Sequence, residues 1–276
     1  ELVNNPSYLP TTLRKTQDAK IAGISEDIVR VRREIDRDKE LVQAIQRMEQ
    51  AVESGKTAEA FAIRKDLLKK YPALEANERL RAAVDSIVAR ERELVSVTDD
   101  QLEAIRQDDS SKSDRFVALA SRQGEAASGL EHETAFVLAG GSAYGFEVAE
   151  GRVRWRRFVG YETVFPPARL PSSAGADAIL ADGGRQEVVR LRGATGELVW
   201  RLPIGARFSD MAVTSRRIVV STESGRVIEI DPETGGSRRI AQLPMPLRVR
   251  VGVGDSDSRP QYYQVGEHSN LYVLSQ

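Results

Sequence analysis

Acidic residues are the side chains in this sequence that come closest to a catalytic or metal-binding pattern. Asp177, Asp182, Asp210 and Asp231 lie at or beside apolar runs in the second half of the chain. Carboxylates can bind Ca²⁺ or act as general acids and bases. Asp182 and Asp231, however, precede Gly-Gly and Pro, which are typical of turns. The spacing therefore favours turn residues over a catalytic pair.

The other residues with potential chemistry are few and isolated. The segment 255–258 (Asp-Ser-Asp-Ser) is similar to a cation loop but lacks the later Gly and Glu of a calcium hand. His132 and His268 are far apart and have no metal-binding neighbours in sequence. The glycine-rich run 139–142 lies between predicted strands, which argues against a phosphate loop. The chain has no Cys, which excludes thiolate metal ligands and a Cys nucleophile. Because no group of residues forms a catalytic or metal-binding pattern, we predict no catalytic residue, no metal site and no cofactor. The sequence identifies no cofactor-binding residue.

Composition excludes several classes of protein. The chain has 276 residues, of which 41% are hydrophobic and 29% charged. It is too apolar for a disordered protein and has no run of about 18 apolar residues for a membrane helix. The 40 basic residues are balanced by 41 acidic ones, so we predict no nucleic-acid partner. The length suggests two domains.

The ends of the sequence suggest a piece of a longer chain. It starts at Glu1 without Met and stops just after the strand-like run 271–274. A signal peptide or membrane anchor could have been removed from such a chain. We therefore expect membrane attachment only through an anchor outside this sequence.

The first half predicts helices. Residues 1–15 suggest an extended lead-in, and Ser25 is a candidate N-cap for the first helix, which could also start earlier. Apolar residues then recur three and four positions apart, as in a heptad stripe: Ile21, Ile24, Ile28, Val31, Ile35, Val42, Ile45 and Val52. We favour packing of this stripe against other helices of the same chain. Self-association through residues 21–52 is the alternative.

Two shorter helices follow. Gly55 suits a helix C-terminus, a second helix is predicted over 57–70, and a third over 74–95. Residues 55–72 also resemble the second helix of a tetratricopeptide repeat, with Ala60 and Pro72 at the expected spacing, although Arg64 departs from its pattern. The prediction is a helical domain over 16–95, either an antiparallel bundle or such a repeat, and a polar linker over 96–115.

The second half repeats itself. Short β-type runs separated by glycine turns recur about every 40–45 residues, which is the period of propeller blades. Gly151, Gly196 and Gly235 are predicted in the tight turn before the last strand of each unit. Trp155 and Trp200 fall at equivalent positions after those turns and are predicted to pack between blades. The third unit has Arg239 at this position, so its contact must differ.

These residues carry a family resemblance. The runs 194–200 (Ala-Thr-Gly-Glu-Leu-Val-Trp) and 230–235 (Ile-Asp-Pro-Glu-Thr-Gly) resemble the blade motif of PQQ-like (quinoprotein-type) β-propellers. The resemblance implies a partial propeller of about three and a half blades over 116–276. Residues 116–120 are a candidate strand that closes the ring. Further blades are expected beyond Gln276, and the alternative is that another chain supplies them. The fold expected is therefore α+β multidomain, an N-terminal antiparallel helical bundle or coiled coil followed by a partial PQQ-like β-propeller.

The resemblance also carries expectations about function. Enzymes of this family bind quinone and Ca²⁺ at the propeller centre, often beside a vicinal Cys pair, which this chain lacks. Many similar proteins are non-catalytic scaffolds, including the lipoprotein of the outer-membrane β-barrel assembly machine. We therefore expect a non-enzymatic, protein-binding scaffold in the periplasm or cell envelope of a bacterium. Its expected partners are other proteins, such as envelope or outer-membrane assembly components.

Two other functions stay open at this stage. One is a quinone (PQQ)-dependent dehydrogenase whose active centre lies in blades missing from this chain. The other is a sensor module attached to a signalling protein.

Overall fold

The computed structural model describes residues 11–98, 101–107, 133–161, 165–172, 175–247, 249–254, 260–268 and 270–275. The chain divides into two compact units, Glu1–Arg92 and Glu93–Gln276. The first unit is helical and the second consists of antiparallel sheets.

The described residues of the helical unit form three α-helices and one 3-10 helix. They are α1 (Thr11–Glu53), α2 (Thr57–Lys70), a 3-10 helix (Pro72–Ala76) and α3 (Glu78–Leu94). Gly55 adopts a φ of 71° between α1 and α2, as predicted for a helix C-terminus. The N-cap prediction for Ser25 is wrong, because α1 is continuous from Thr11, inside the segment first interpreted as an extended lead-in.

The beginning of the third helix also differs from its prediction. Pro72 begins a short 3-10 turn, and α3 begins only at Glu78. The Asn77 side-chain oxygen accepts hydrogen bonds from the backbone N–H groups of Arg79 (3.0 Å) and Leu80 (3.2 Å). Asn77 is therefore the N-cap of α3.

The predicted heptad stripe of α1 divides into two parts. Near the C-terminal end of α1, where it packs against α2, Ile45 is buried. The earlier members Ile24, Ile28, Val31 and Ile35 are all exposed. Packing against other helices of the chain therefore covers only the later part of the stripe among the described residues.

The described residues of the second unit form four antiparallel sheets, whose strands follow chain order except for β1. The strands are β1 (Ser96–Thr98), β2 (Thr134–Ala139), β3 (Ser142–Glu147), β4 (Val153–Phe158), β5 (Ala168–Ser172), β6 (Gly175–Asp182), β7 (Glu187–Leu191), β8 (Leu198–Pro203), β9 (Phe208–Val213), β10 (Ile218–Thr222), β11 (Arg226–Ile230), β12 (Ser237–Gln242), β13 (Gly252–Gly254), β14 (Gln261–Val265) and β15 (Leu271–Ser275). The first sheet is β2-β3-β4 and the second is β5-β6-β7-β8. The third is β9-β10-β11-β12 with β1 added at its edge, and the fourth is β13-β14-β15.

Consecutive sheets pack face to face through apolar side chains. Trp155 of the first sheet packs with Leu180 and Leu191 of the second. Trp200 of the second packs with Ile218 and Ile228 of the third. Strands buried on both faces are rich in Val, Ile and Leu, as β7 and β10 are. This stacking is propeller-like, although the described residues do not show a closed ring.

The segment predicted as a polar linker over 96–115 contains ordered contacts. Its first residues form β1, which pairs with β12. Ile105 then forms an isolated bridge with Arg201 of β8, and the backbone N–H of Leu102 donates to Ser237 Oγ at 2.7 Å. This part of the chain therefore runs along the outer edges of the second and third sheets, which protects them from edge-to-edge pairing. The candidate closing strand over 116–120 lies outside the described residues.

Candidate binding surfaces

Each tryptophan of the repeat joins its own sheet to the next. Trp155 Nε1 donates to the carbonyl oxygen of Gly193 at 2.8 Å, and Trp200 Nε1 donates to that of Pro232 at 2.8 Å. The indoles lie against Gly196 and Gly235, where an added Cβ would come within 2.6 Å and 2.5 Å of a ring carbon. Both glycines have positive φ. The prediction that the tryptophans pack between repeat units is confirmed.

The third repeat unit replaces this contact. In the second sheet, Trp200 lies opposite Arg190. At the equivalent position of the third sheet, Arg239 lies opposite Glu229. A cavity of about 200 Å³ lies there, between the third and fourth sheets. Its walls include Val97, Val227, Glu229, Arg239, Ala241, Tyr262 and Val273. Packing at this interface therefore leaves space that an indole fills elsewhere.

A buried ion pair within the second sheet is hydrogen-bonded to the turn that follows β11 of the third sheet. Arg190 donates from Nε and Nη2 to Asp177 Oδ2, at 2.9 Å and 2.8 Å. Its Nη1 donates to the Pro232 carbonyl oxygen at 2.8 Å, the same oxygen that accepts from Trp200. Asp177 also accepts from the Gly193 N–H. A buried charge is tolerated only when paired and hydrogen-bonded in this way.

The corresponding pair in the third sheet has its charges exchanged. Arg217 occupies the position of Asp177, Glu229 occupies that of Arg190, and Arg217 Nη1 lies 3.8 Å from Glu229 Oε1. Arg217 also donates to the Tyr262 hydroxyl at 3.3 Å. Burial raises the pKa of Tyr262 to about 12, and Arg217 opposes that shift while Glu229 adds to it.

The other candidate aspartates stabilise turns and connections. Asp182 accepts from the Arg185 N–H at 2.9 Å, and burial raises its pKa. Asp231 accepts from the N–H groups of Glu233 and Thr234. Burial alone would raise the pKa of Asp231, but these donors and Arg238 lower it overall. The turn interpretation of Asp182 and Asp231 is confirmed.

The last candidate aspartate is also engaged in the fold. Asp210 Oδ2 accepts from the Val251 N–H at 2.8 Å, which ties β9 to the chain entering the fourth sheet. His268 lies in the turn before β15, whereas His132 and the segment 255–258 lie outside the described residues. Among the described residues, no three His, Asp or Glu side chains form a group that could hold a metal ion. The described carboxylates therefore do not fit the Ca²⁺ and quinone site that the family enzymes have.

The outward side of the first sheet is an aromatic surface. Tyr144 pairs with Val137 on one side and with Arg156 on the other, so the three share a face. The rings of Tyr144 and Phe146 stack with centroids 6.0 Å apart, and the Arg156 guanidinium lies 5.8 Å from the Tyr144 centroid. Val137 and Phe158 are exposed. We call this set of residues (Val137, Tyr144, Phe146, Arg156 and Phe158) the aromatic face.

Sequence reasoning did not identify the aromatic face. The signal was present, because apolar residues alternate on both sides of β3: Ala143 packs toward the second sheet while Tyr144 and Phe146 point away from it. A strand that is apolar on both sides needs cover on both sides. The opposite end of the stack also has exposed apolar side chains, namely Tyr263, Leu271 and Val273.

Antiparallel sheets linked by a tryptophan that docks on the glycine turn of the next sheet are the arrangement expected of PQQ-like repeats. Residues 139–239 match the family model described as "Outer membrane protein assembly factor BamB". No curated protein matches the chain. None of the described helices combines the length and apolarity of a bilayer-spanning helix.

Comparison with solved structures gives weak likenesses. The crystal structure of BamB from Moraxella catarrhalis has 14% identity and a TM-score of 0.35 over 51% of this chain and 49% of that one. The crystal structure of BBS1N in complex with ARL6DN has 17% identity and a TM-score of 0.38, over 51% of this chain and 49% of that one. The crystal structure of Saccharomyces cerevisiae Sqt1 has 12% identity and a TM-score of 0.39, over 49% of this chain and 38% of that one. The chain thus spans about half or less of each of these three structures.

Proposed function

We propose that this protein is a non-catalytic protein-interaction scaffold whose aromatic face binds a partner protein. The observation that carries the proposal is that face itself: Tyr144 and Phe146 are only half-buried and Val137 is 44% exposed. The largest contiguous apolar patch on a protein surface is often a functional interaction site.

The chemistry of the aromatic face suits a protein partner. Tyrosine and arginine dominate the binding energy of protein interfaces, because they combine apolar area with hydrogen-bonding groups. Arg156 is held in place by its Nε hydrogen bond to Ser142 Oγ at 3.0 Å and by the Tyr144 ring. Such preorganisation lowers the entropy lost on binding. The exposed face at the other end of the stack has no comparable arginine–aromatic arrangement among the described residues.

A setting in the bacterial periplasm or cell envelope belongs to the same proposal. The family model matched by 139–239 describes an outer membrane assembly factor. That match supports envelope proteins as partners. We propose membrane attachment only through an anchor outside this sequence. The helical unit would then tether or oligomerise the sheet unit.

The test is affinity isolation from native cells with quantitative mass spectrometry, comparing wild type with Tyr144→Ala. Proteins bound to the aromatic face should be recovered at least about fivefold less with the variant, as for a hot-spot residue. Tyr263→Ala, at the other end of the stack, is the matched control and should keep them. Equal recovery with both variants, while both unfold like wild type, would contradict the proposal.

The enzyme alternative has its own assay. Wild-type protein would be incubated with the quinone and Ca²⁺, then assayed for tight binding and dye-linked alcohol oxidation. We expect neither, because the described aspartates are engaged in turns, ion pairs and backbone contacts. A tight complex that oxidises alcohols would refute the non-catalytic proposal.

A further inference from the structure

The first part of α1 exposes an apolar stripe that the described chain leaves uncovered. Ile24 is 56% exposed, Ile28 49%, Val31 47% and Ile35 48%. Their spacing alternates between four and three residues, which places Ile28 and Ile35 at heptad position a and Ile24 and Val31 at position d. We call these four residues the α1 stripe.

The α1 stripe lies on a different side of α1 from the face that packs within the chain. The buried residues further along α1 are Leu41, Ala44, Ile45, Met48 and Ala51. At 3.6 residues per turn, the centres of the two sets are roughly 140° apart around the helix axis. Helices that pack on the buried face therefore do not reach the stripe.

Charges beside the α1 stripe specify what can cover it. Position g holds Asp27 and Glu34, and position e holds Arg32 and Lys39. In a parallel, in-register pair, each g residue meets the e residue of the following heptad in the other helix. Asp27 would then meet Arg32, and Glu34 would meet Lys39, so both contacts join opposite charges.

An antiparallel pair would give the opposite result. It brings g positions against g and e against e. Acidic residues would then face acidic ones and basic residues basic ones. The existing Asp27–Arg30 ion pair, at 2.7 Å with both side chains more than 60% exposed, is no obstacle, because exposed ion pairs contribute little and exchange readily.

We propose that α1 associates in parallel and in register with further copies of this chain, through the α1 stripe and its flanking charges. Position a holds isoleucine and position d holds Ile24 and Val31, so all four residues are β-branched. This composition is close to isoleucine at both a and d, which favours more than two strands, so three copies are expected. The proposal rests on the oligomerising role given to the helical unit above and is independent of the aromatic face.

The first test is sedimentation equilibrium of the full chain over about a hundredfold range of concentration. The mass should rise from that of the 30.5 kDa chain toward three times that value. Ile28→Ser with Ile35→Ser should keep the protein monomeric throughout. Val29→Ser is the matched control, since Val29 is 47% exposed on the same helix but off the stripe. A wild type that stays monomeric at every concentration would overturn the proposal.

The second test addresses orientation. Asp27→Lys with Glu34→Lys should weaken association at least tenfold, because the g and e positions become uniformly basic. Adding Arg32→Glu and Lys39→Glu should restore it, since each contact again joins opposite charges. In an antiparallel assembly all three proteins would carry like-charge contacts and associate alike, which would overturn the proposal.

Folding and partner binding are monitored in parallel. All substituted side chains are exposed, so circular dichroism and urea unfolding of the variants should match wild type after allowance for concentration. Partner recovery by the aromatic face should persist in the Ile28→Ser, Ile35→Ser variant, although with lower avidity. Loss of self-association with retained partner recovery would show that the two proposals are independent. Retained self-association with loss of partner recovery would show the same.

Discussion

At the scale of single residues, the tryptophans and glycines of the repeat motif form one packing contact between neighbouring sheets. Trp200 is fully buried and its indole lies on Gly235 of the next sheet. The glycine serves two purposes, because its φ of 76° disfavours a side chain and its missing Cβ makes room for the ring. Gly151 has the first property alone, since its φ is 66° but nothing lies within 4 Å of an added Cβ.

This difference predicts unequal effects of two matched substitutions. Gly151→Ala should cost about 1 kcal/mol of unfolding free energy from the positive φ. Gly235→Ala should cost about 1–3 kcal/mol more, because the methyl group overlaps the Trp200 ring. Urea unfolding followed by tryptophan fluorescence measures both. Equal losses would show that the indole does not dock as described.

Tyr262 predicts a pH dependence. Its pKa is raised to about 12 by burial, so the neutral phenol is favoured in the folded state. The resulting stability is fully present below the unfolded pKa near 10 and is lost as pH rises through about 12. Tyr262→Phe should therefore flatten the decline in unfolding free energy over this window by roughly 1–2 kcal/mol, allowing for solvent screening.

The control for this measurement is Tyr161→Phe, since Tyr161 is 81% exposed. Its unfolding free energy should follow wild type across the same pH range. An unchanged profile for Tyr262→Phe would refute the role of the buried phenol.

At the scale of elements, capping decides where α3 begins. Helix α2 ends at Lys70, two residues before Pro72. The chain then makes a 3-10 turn over Pro72–Ala76 before α3 begins at Glu78. Asn77 supplies the acceptor that the first N–H groups of α3 need. Sequence periodicity alone placed this boundary several residues early.

Asn77→Ala should therefore lower the unfolding free energy of the chain by about 1 kcal/mol. Asn77→Ser, which keeps a side-chain oxygen at the cap, should restore most of that loss. Thermal unfolding followed by circular dichroism at 222 nm, the usual helix signal, measures both variants. If Ser and Ala behave alike, the cap does not contribute.

Strand β1 contributes to the third sheet through its backbone pairing rather than through burial of its side chains. Val97 is 58% exposed and β1 is only three residues long, so its own burial contributes little. Its register against β12, with Val97 opposite Ala241, instead occupies backbone groups at the edge of the third sheet. Short added strands are one way in which proteins protect sheet edges.

At the scale of the whole molecule, charge balance predicts which partners are excluded. With 40 basic and 41 acidic residues, the protein lacks the cationic excess that releases counterions from duplex DNA. Fluorescence anisotropy with labelled duplex DNA should show no saturable binding at physiological salt, with a basic DNA-binding protein as positive control. Saturable, salt-sensitive binding would contradict this prediction.

The sequence by itself determined the order of the two units, the repeat and the turns. Helical spacing, a blade period and glycines before Trp155 and Trp200 are local signals, and each reflects conformational preferences of a few neighbouring residues. The turn role of Asp231 follows from the same local chemistry. These features could be predicted because no distant contact changes them.

Tertiary structure alone decided which apolar surfaces are covered. Ile28 and Ile45 belong to the same heptad stripe, yet one is exposed and the other buried. Likewise Ala143 and Tyr144 are neighbours in one strand, and only the position of the second sheet makes one core and the other surface. Sequence patterns show that a side chain is apolar, but its cover comes from residues far along the chain, whose placement depends on the packing of the whole fold.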